Sequence, residues 1–414
     1  MLRCSLPAGW THVKDIACHI FDRAAPWLCG LVFTATLAVC LATGSRLKYA
    51  DETLYDQFGR RLAAGQGFVD EAGQPTAMRP PGYPYALSLA YRIRASVWSA
   101  KFLNAAALGL TAWLTVLLIG LVTPAGRAFG PLLVLAYPLF LYTSSLLYPQ
   151  TLGSLFFLLA IWLALRYPGS IAAGLACGAT AGALVLGIPA FTLVFAAMYA
   201  LLVLRNLCGN RLYSSGFLVA FAVAAILTVT PWLVRNALLF HRAVYISTNS
   251  GINLLYGNSE NTGADTGVVD ISHYIPPSDL DEAGRDAFYG HCAQNWVLQH
   301  PAAATRLYAL KVVNYFNFQN QLATAGVGSS AKDLLLAVTY YPLLLAALVR
   351  LFGWRKFRLS WPEGLLYLLY IGNAFLGALV YNRIRYRVPF DFLLIALVAM
   401  FIGRLRTRAP REAA

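Results

Sequence analysis

Three short segments carry the residue types that could do chemistry. The first is Asp51-Glu52-Thr53-Leu54-Tyr55, in which two adjacent carboxylates precede a tyrosine. A carboxylate at a membrane–water boundary can act as a general base on an acceptor hydroxyl. The same acids could simply start a helix, with Asp51 as N-cap and Glu52 as a first-turn acid complementing the helix dipole. The second segment is Met78-Arg79-Pro80-Pro81-Gly82-Tyr83-Pro84, whose prolines fix an extended, rigid approach to the next apolar run. Arg79 on that support could hold a phosphate with its planar donor fork, or anchor the chain beside a tyrosine belt. The third is Tyr381-Asn382-Arg383-Ile384-Arg385-Tyr386-Arg387, with three arginines in one short link. Guanidinium groups so crowded repel one another unless an anion compensates, and a lipid-linked phosphate is the anion available at membrane depth. In an extended link Arg385 and Arg387 would point the same way. Arg387 could alternatively pair with Asp391, one turn into the next helix.

These segments lie between apolar runs that must position them. The 414 residues are 58% hydrophobic and only 12% charged, against ~25% charged in an ordinary soluble chain. No acid occurs between Glu71 and Glu260, which no water-facing surface would tolerate. Runs able to cross ~30 Å of hydrocarbon are expected at 26–43, 102–122, 129–147, 150–165, 171–187, 190–204, 216–233, 334–350, 362–380 and 388–403. The fold class is therefore an all-α polytopic membrane protein of about ten transmembrane helices, with external juxtamembrane helices and one larger external loop region. Its organisation divides into an N-terminal transmembrane module, 1–233, containing a first external loop at 44–101. An external loop region at 234–333 and C-terminal transmembrane helices at 334–414 follow.

Arginines in the short links (Arg127, Arg166, Arg205 with Arg211, and 350–358) fall on one side with both termini. By the positive-inside rule that side is cytoplasmic, and both long loops and the turns at Pro149 and Pro189 lie outside. Trp27 to Thr43 has no small-residue cleavage site before it and is expected to be an uncleaved first helix in a bacterial inner membrane. The first external loop should open with a surface helix from Asp51 to Ala64, since Leu54, Phe58 and Leu62 make one apolar stripe. Gly65-Gln66-Gly67 ends it. In the second loop, turn-rich sequence should give way to helix from about Asp281 to Phe316, broken near Pro301.

Several function classes are excluded. The net charge of +14 sits mainly at the ends of apolar runs, where it meets anionic headgroups and not nucleic acid. Seven scattered cysteines imply no disulfide framework, and there is no Walker A pattern, dinucleotide loop, CxxC or HExxH. His291 and His300 flank Trp296 and decorate a helix more readily than they bind a metal. No cofactor is expected, with a divalent-metal requirement left open, and membrane lipids are the expected surroundings.

At these residues the chain resembles the GT-C glycosyltransferases, specifically the bacterial branch related to protein O-mannosyltransferases and lipid A aminoarabinose transferases. The matching order is Asp-Glu-x-x-Tyr at Asp51 to Tyr55, Gly-x-Gly-Phe at Gly65 to Phe68, and Arg-Pro-Pro-Gly-Tyr-Pro at Arg79 to Pro84. Thr230 to Asn236, Ile246 to Leu254, Gly257-Asn258 and Arg385-Tyr386-Arg387-Val388-Pro389 also fit, so the resemblance spans nearly the whole chain. It implies inverting transfer of a sugar from a polyprenyl phosphate to a lipid, glycan or protein acceptor on the periplasmic face. Asp51 would be the base, with Glu52 as the companion acid. Arg79, Arg385, Arg387 and Arg383 would contact the donor phosphate, and Tyr55, Tyr83, Asn249 and Asn253 would line the substrate pocket.

Relatives commonly carry an acid where this chain has Gln150 and an arginine where it has Ile188. Their joint loss leaves no orphaned charge but bears on substrate range, and keeps a catalytically silent relative among the readings. A flippase of lipid-linked saccharides is a further alternative. It would need polar residues in mid-helix, whereas the runs from 102 to 233 hold almost none that ionise.

Overall fold

The computed structural model describes residues 23–209, 211–319, 330–353 and 358–408. Among them are sixteen α-helices and no strand, only an isolated bridge between Val69 and Pro75. In chain order they are α1 (Ala25–Thr43), α2 (Ala50–Ala63), α3 (Gly82–Ile93), α4 (Val97–Gly120), α5 (Phe129–Leu135), α6 (Pro138–Ser144), α7 (Gln150–Arg166) and α8 (Ile171–Gly187). Then follow α9 (Phe191–Leu207), α10 (Ser215–Phe240), α11 (Ser250–Gly257), α12 (Glu282–Gln299), α13 (Pro301–Asn314), α14 (Ser330–Phe352), α15 (Trp361–Ala378) and α16 (Ile384–Arg408).

Each expected apolar run has its counterpart. Helices α1, α4, α10, α14 and α16 are long and apolar enough to span a membrane unaided. The run at 129–147 is a broken span, with the stretch Pro124–Leu135 bent by 63° against Pro138–Ser144, a kink that Pro138 at the start of α6 explains. Helices α7, α8 and α9 have 17 residues each, about 25 Å at the standard rise, and α15 has 18. The chain is an all-α polytopic membrane protein.

Helix–helix packing rests on small residues, as it must where lipid gives no hydrophobic drive. Gly174, Gly178 and Gly182 make a stripe on α8 against α10. A Cβ at Gly174 would sit 2.5 Å from the Phe217 carbonyl oxygen, and one at Gly182 2.6 Å from the Thr228 Cβ. Helix α16 runs through the middle of the bundle, where Phe392 stacks on Phe140 at 3.9 Å and Phe390 lies 4.9 Å from Phe157. At its far end Arg404 shares Glu363 with Arg350, both at 2.8 Å, in the capping turn of α15.

The first long loop is built as two packed helices, where the sequence showed one. Helix α2 starts at Ala50 and ends at the Gly65-Gln66-Gly67 turn, in which both glycines have positive φ. Helix α3 begins directly after Pro80-Pro81. Gly59 lets the two meet, since a Cβ there would fall 2.8 Å from the Leu87 Cβ. Asp56 accepts hydrogen bonds from the Tyr91 hydroxyl at 2.6 Å and the Arg60 Nε at 2.8 Å, which locks the pair.

Candidate active site

The N-terminus of α2 is set by Glu52, and not by Asp51 as the sequence suggested. Tyr49 is the N-cap, and Glu52 at N3 closes a capping box, accepting from the Tyr49 amide at 3.1 Å and the Lys48 amide at 2.9 Å. Its other oxygen accepts from the Leu147 amide at 2.9 Å. Glu52 is fully buried. With three backbone N–H groups on its carboxylate it is a structural staple between α2 and the turn before α7, which removes it from the acids that could serve as base.

Asp51, one residue earlier, is thereby turned to the cleft. Its Oδ1 accepts from Arg79 at 2.7 Å and its Oδ2 from Arg385 at 3.2 Å. Arg79 lies 28 residues away in sequence and Arg385 lies 334 away. All three side chains are between a fifth and a third exposed, so the trio opens to solvent. The Nε of Arg79, of Arg383 and of Arg385 is buried without a hydrogen-bond partner among the described residues, leaving donor capacity for an anion.

Arg79 and Arg385 are held by different parts of the segment that follows Arg235. The strand-like approach to Arg79 is gripped on both sides: Glu282 accepts from the Thr76 hydroxyl at 2.7 Å, the Ala77 amide at 3.1 Å and the Thr248 hydroxyl. Arg235 donates to the carbonyls of Thr76 at 2.8 Å and Phe68 at 3.3 Å while lying over the Trp232 ring. The Thr230–Asn236 and Ile246–Leu254 segments therefore position the approach to Arg79. Arg385 donates to the Tyr386 hydroxyl at 2.7 Å and lies 5.4 Å over the Tyr148 ring. Tyr381 packs on Tyr386 with ring centres 5.6 Å apart, and its hydroxyl donates to Asn253 at 2.8 Å. Asn249 in turn carries α11, its carbonyl accepting the Asn253 side-chain amide at 2.7 Å. Asn249 and Asn253 thus support the aromatic frame of Arg385.

The link before Arg383 is equally fixed. Lys311, fully buried, donates to the Val380 carbonyl at 2.8 Å and to Asn258 at 3.1 Å, and burial pushes its ammonium down to about 8. Gly257 abuts the Val380 carbonyl so closely that a Cβ would meet its oxygen at 2.0 Å. Arg383 rests against Gly267, and burial, with Arg385 close by, lowers its pKa. Tyr55 is edge-on to Tyr83 at 5.4 Å and to Tyr148 at 6.5 Å, and burial raises its phenol to about 12.

Two expected site residues fall elsewhere. Arg387 does not share the direction of Arg385, because Ile384 already begins α16 and residues two apart on a helix diverge. Its Nε binds Asp391 at 3.0 Å and its Nη1 donates to the carbonyls of Tyr315 at 2.6 Å and Asn317 at 2.8 Å. The guanidinium stacks 3.7 Å over the Tyr340 ring, with the side chain 2% exposed. It knots the bundle and does not face the cleft. Tyr83, 1% exposed, exchanges hydrogen bonds with Asn104 and belongs to the core beneath the site. The ring the sequence missed is Tyr148, which touches Arg385, Tyr55 and Tyr49. The only signal for it was its place before Pro149.

An apolar groove of about 610 Å³ lies between α3, α7, α8 and α10. Pro81 and Gly82, two and three residues after Arg79, line its near end, and Leu89, Leu186, Pro231 and Trp232 are among the rest.

No family model and no curated protein matches this chain. Among solved structures it is similar to the crystal structure of ArnT from Cupriavidus metallidurans bound to undecaprenyl phosphate, at 16% identity over 98% of this chain and 80% of that one, with a TM-score of 0.40. It is also similar to the same protein in the apo state, at 14% identity over 98% and 77%, with a TM-score of 0.40.

Proposed function

We propose that this chain is a GT-C type membrane glycosyltransferase that moves a sugar from a polyprenyl phosphate to a hydroxyl of a lipid, glycan or protein acceptor on the periplasmic face. The observation that carries the reading is Asp51 clasped by Arg79 and Arg385, with Pro81 and Gly82 just after Arg79 lining an apolar groove. An anion held by two arginines from distant segments marks a place built for negative charge. The groove leading from Pro81 suits an apolar chain whose phosphate arrives at Arg79.

The chemistry follows from the charges. The donor phosphodiester carries one negative charge, and when the bond between the sugar C1 and the phosphate oxygen breaks, the departing monoester gains a second. Fixed guanidinium groups stabilise that developing charge more than the ground state. When Arg79 and Arg385 turn to the phosphate, they release Asp51 to accept the proton of the attacking hydroxyl. Attack opposite the leaving phosphate inverts the anomeric centre. Tyr148 and Tyr386 flank the charges with rings and limit water. A flippase is disfavoured because these buried ions lie towards helix ends: Arg387 and Asp391 fall in the first two turns of α16, Glu363 in the first turn of α15 and Arg404 near the end of α16.

Purified protein incubated with a panel of polyprenyl-phosphate sugars should release polyprenyl phosphate, read by mass spectrometry. Movement of intact donor between leaflets of a vesicle without cleavage would refute the transferase reading.

A further inference from the structure

We propose that Gln150 is the residue through which this enzyme reads the sugar of its donor, and that the sugar it selects is neutral, presenting hydroxyls and no ammonium. This rests on the donor reading above and goes beyond it by naming the substrate class.

Gln150 is 4% exposed, yet its side-chain carbonyl oxygen has no hydrogen-bond partner among the described residues. A buried amide oxygen left unmatched costs ~1–3 kcal/mol, so its retention calls for a donor that arrives from outside. Its place in the fold says where. Gln150 opens α7, two residues after Tyr148, whose ring lies under the Arg385 guanidinium at 5.4 Å. Seven residues further on, Phe157 meets Phe390, which lies seven residues after Arg383. With Tyr148 against Arg385 and Phe157 against Phe390, α7 and α16 run side by side in the same direction, and Gln150 begins α7 at the end where Arg385 lies. Arg383 and Arg385 both lie close to Tyr148, two residues before Gln150, and each has an unmatched Nε of its own. Spare cationic donors and a spare neutral acceptor are what a sugar phosphate requires: guanidinium for the phosphate, an amide for a sugar hydroxyl.

The charge balance sets the kind of sugar. Arg79, Arg383 and Arg385 face a single carboxylate in the cleft, Asp51, which two of them already occupy. Glu52 spends both oxygens on backbone amides. An ammonium on the sugar would find three like charges and no free anion, whereas a hydroxyl needs only the Gln150 oxygen.

The test compares binding of bare polyprenyl phosphate with that of matched donors bearing glucose or glucosamine, by calorimetry on wild type, Gln150→Leu and Gln150→Glu. Wild type should prefer the glucose donor over the glucosamine donor by about tenfold or more. Gln150→Leu should bind the bare lipid as wild type does and lose most of the preference for the glucose donor over it. Its melting temperature should stay level or rise, because an unmatched polar atom has been removed. Gln150→Glu should reverse the order of the two sugars. If Gln150→Leu keeps the wild-type ratio of sugar-bearing to bare lipid, or Gln150→Glu leaves the order unchanged, the assignment of Gln150 is overturned while the transferase reading stands. Failure of wild type to bind bare polyprenyl phosphate would remove the donor reading, and this inference with it.

Discussion

Arg385 and Arg387 sit two residues apart, and the structure predicts opposite consequences for their loss. Arg387→Ala strips the cation from Asp391, which is fully buried, and deletes the hydrogen bonds to Tyr315 and Asn317 and the stacking on Tyr340. Breaking a buried pair by removing one partner costs ~3–5 kcal/mol. At roughly 2 °C per kcal/mol for a large chain, the melting temperature should fall by about 6–10 °C. Asp391→Asn should fall comparably, since Tyr137 donates to the same carboxylate at 2.9 Å. Replacing both partners by Met and Leu should restore much of the loss, because a well-packed apolar pair leaves no orphaned charge. Arg385→Ala, by contrast, removes a pair that is about a third exposed, and should cost ~1 kcal/mol or less while abolishing most donor affinity. Thermal unfolding in detergent and calorimetry with polyprenyl phosphate separate the two. An Arg387→Ala variant with an unchanged melting temperature and weakened donor binding would refute the division of labour and return Arg387 to the phosphate.

Asp51→Asn should fold normally, because the capping of α2 belongs to Glu52, and should lose turnover by ~10²-fold or more in a phosphate-release assay. Glu52→Gln should instead lower the melting temperature, since one amide oxygen cannot serve the amides of Lys48, Tyr49 and Leu147. Lys311 has its pKa lowered to about 8 in the fold against an ordinary 10.5, so the unfolded chain binds more protons between those values and stability gains with rising pH there. Melting curves from pH 7.5 to 9.5 should show that gain in wild type and not in Lys311→Met. Reporter fusions after Arg205 should read cytoplasm and fusions at Gly73 and Gly267 periplasm; a cytoplasmic signal at Gly267 would place the two halves of the site on opposite sides of the membrane.

The apolar runs were legible because hydrocarbon demands a composition visible at a glance, and all ten became helical units. What escaped was set by tertiary contact. Tyr49 has no propensity as an N-cap, so nothing local announced that α2 starts one residue earlier and gives its capping to Glu52. Arg387 was assigned to the cleft on the premise of an extended link; the helix begins at Ile384, and its (i, i+4) partner Asp391 then lies on the same face. The meeting of Asp51 with Arg385 across 334 residues has no signature in either segment alone. Gln150 was visible only as a departure from relatives, and its unmatched oxygen is a property of packing.

The glycine seam between α8 and α10 has a mechanical meaning for the groove. With side-chain-free contact at Gly174, Gly178 and Gly182, those helices meet almost backbone to backbone and form one slab. That slab supplies one wall, with Leu186, Pro231 and Trp232, while the opposite wall of Pro81, Gly82 and Leu89 belongs to α3. The two touch where Gly82 lies against the Gly187 backbone, at a distance a Cβ would reduce to 2.6 Å. The groove's aperture is therefore set by how α3 rests on α8 and by the contact of Tyr85 with Trp232. Arg79, three residues ahead of Gly82, is tied to both walls, because Arg235 of α10 holds the Thr76 carbonyl.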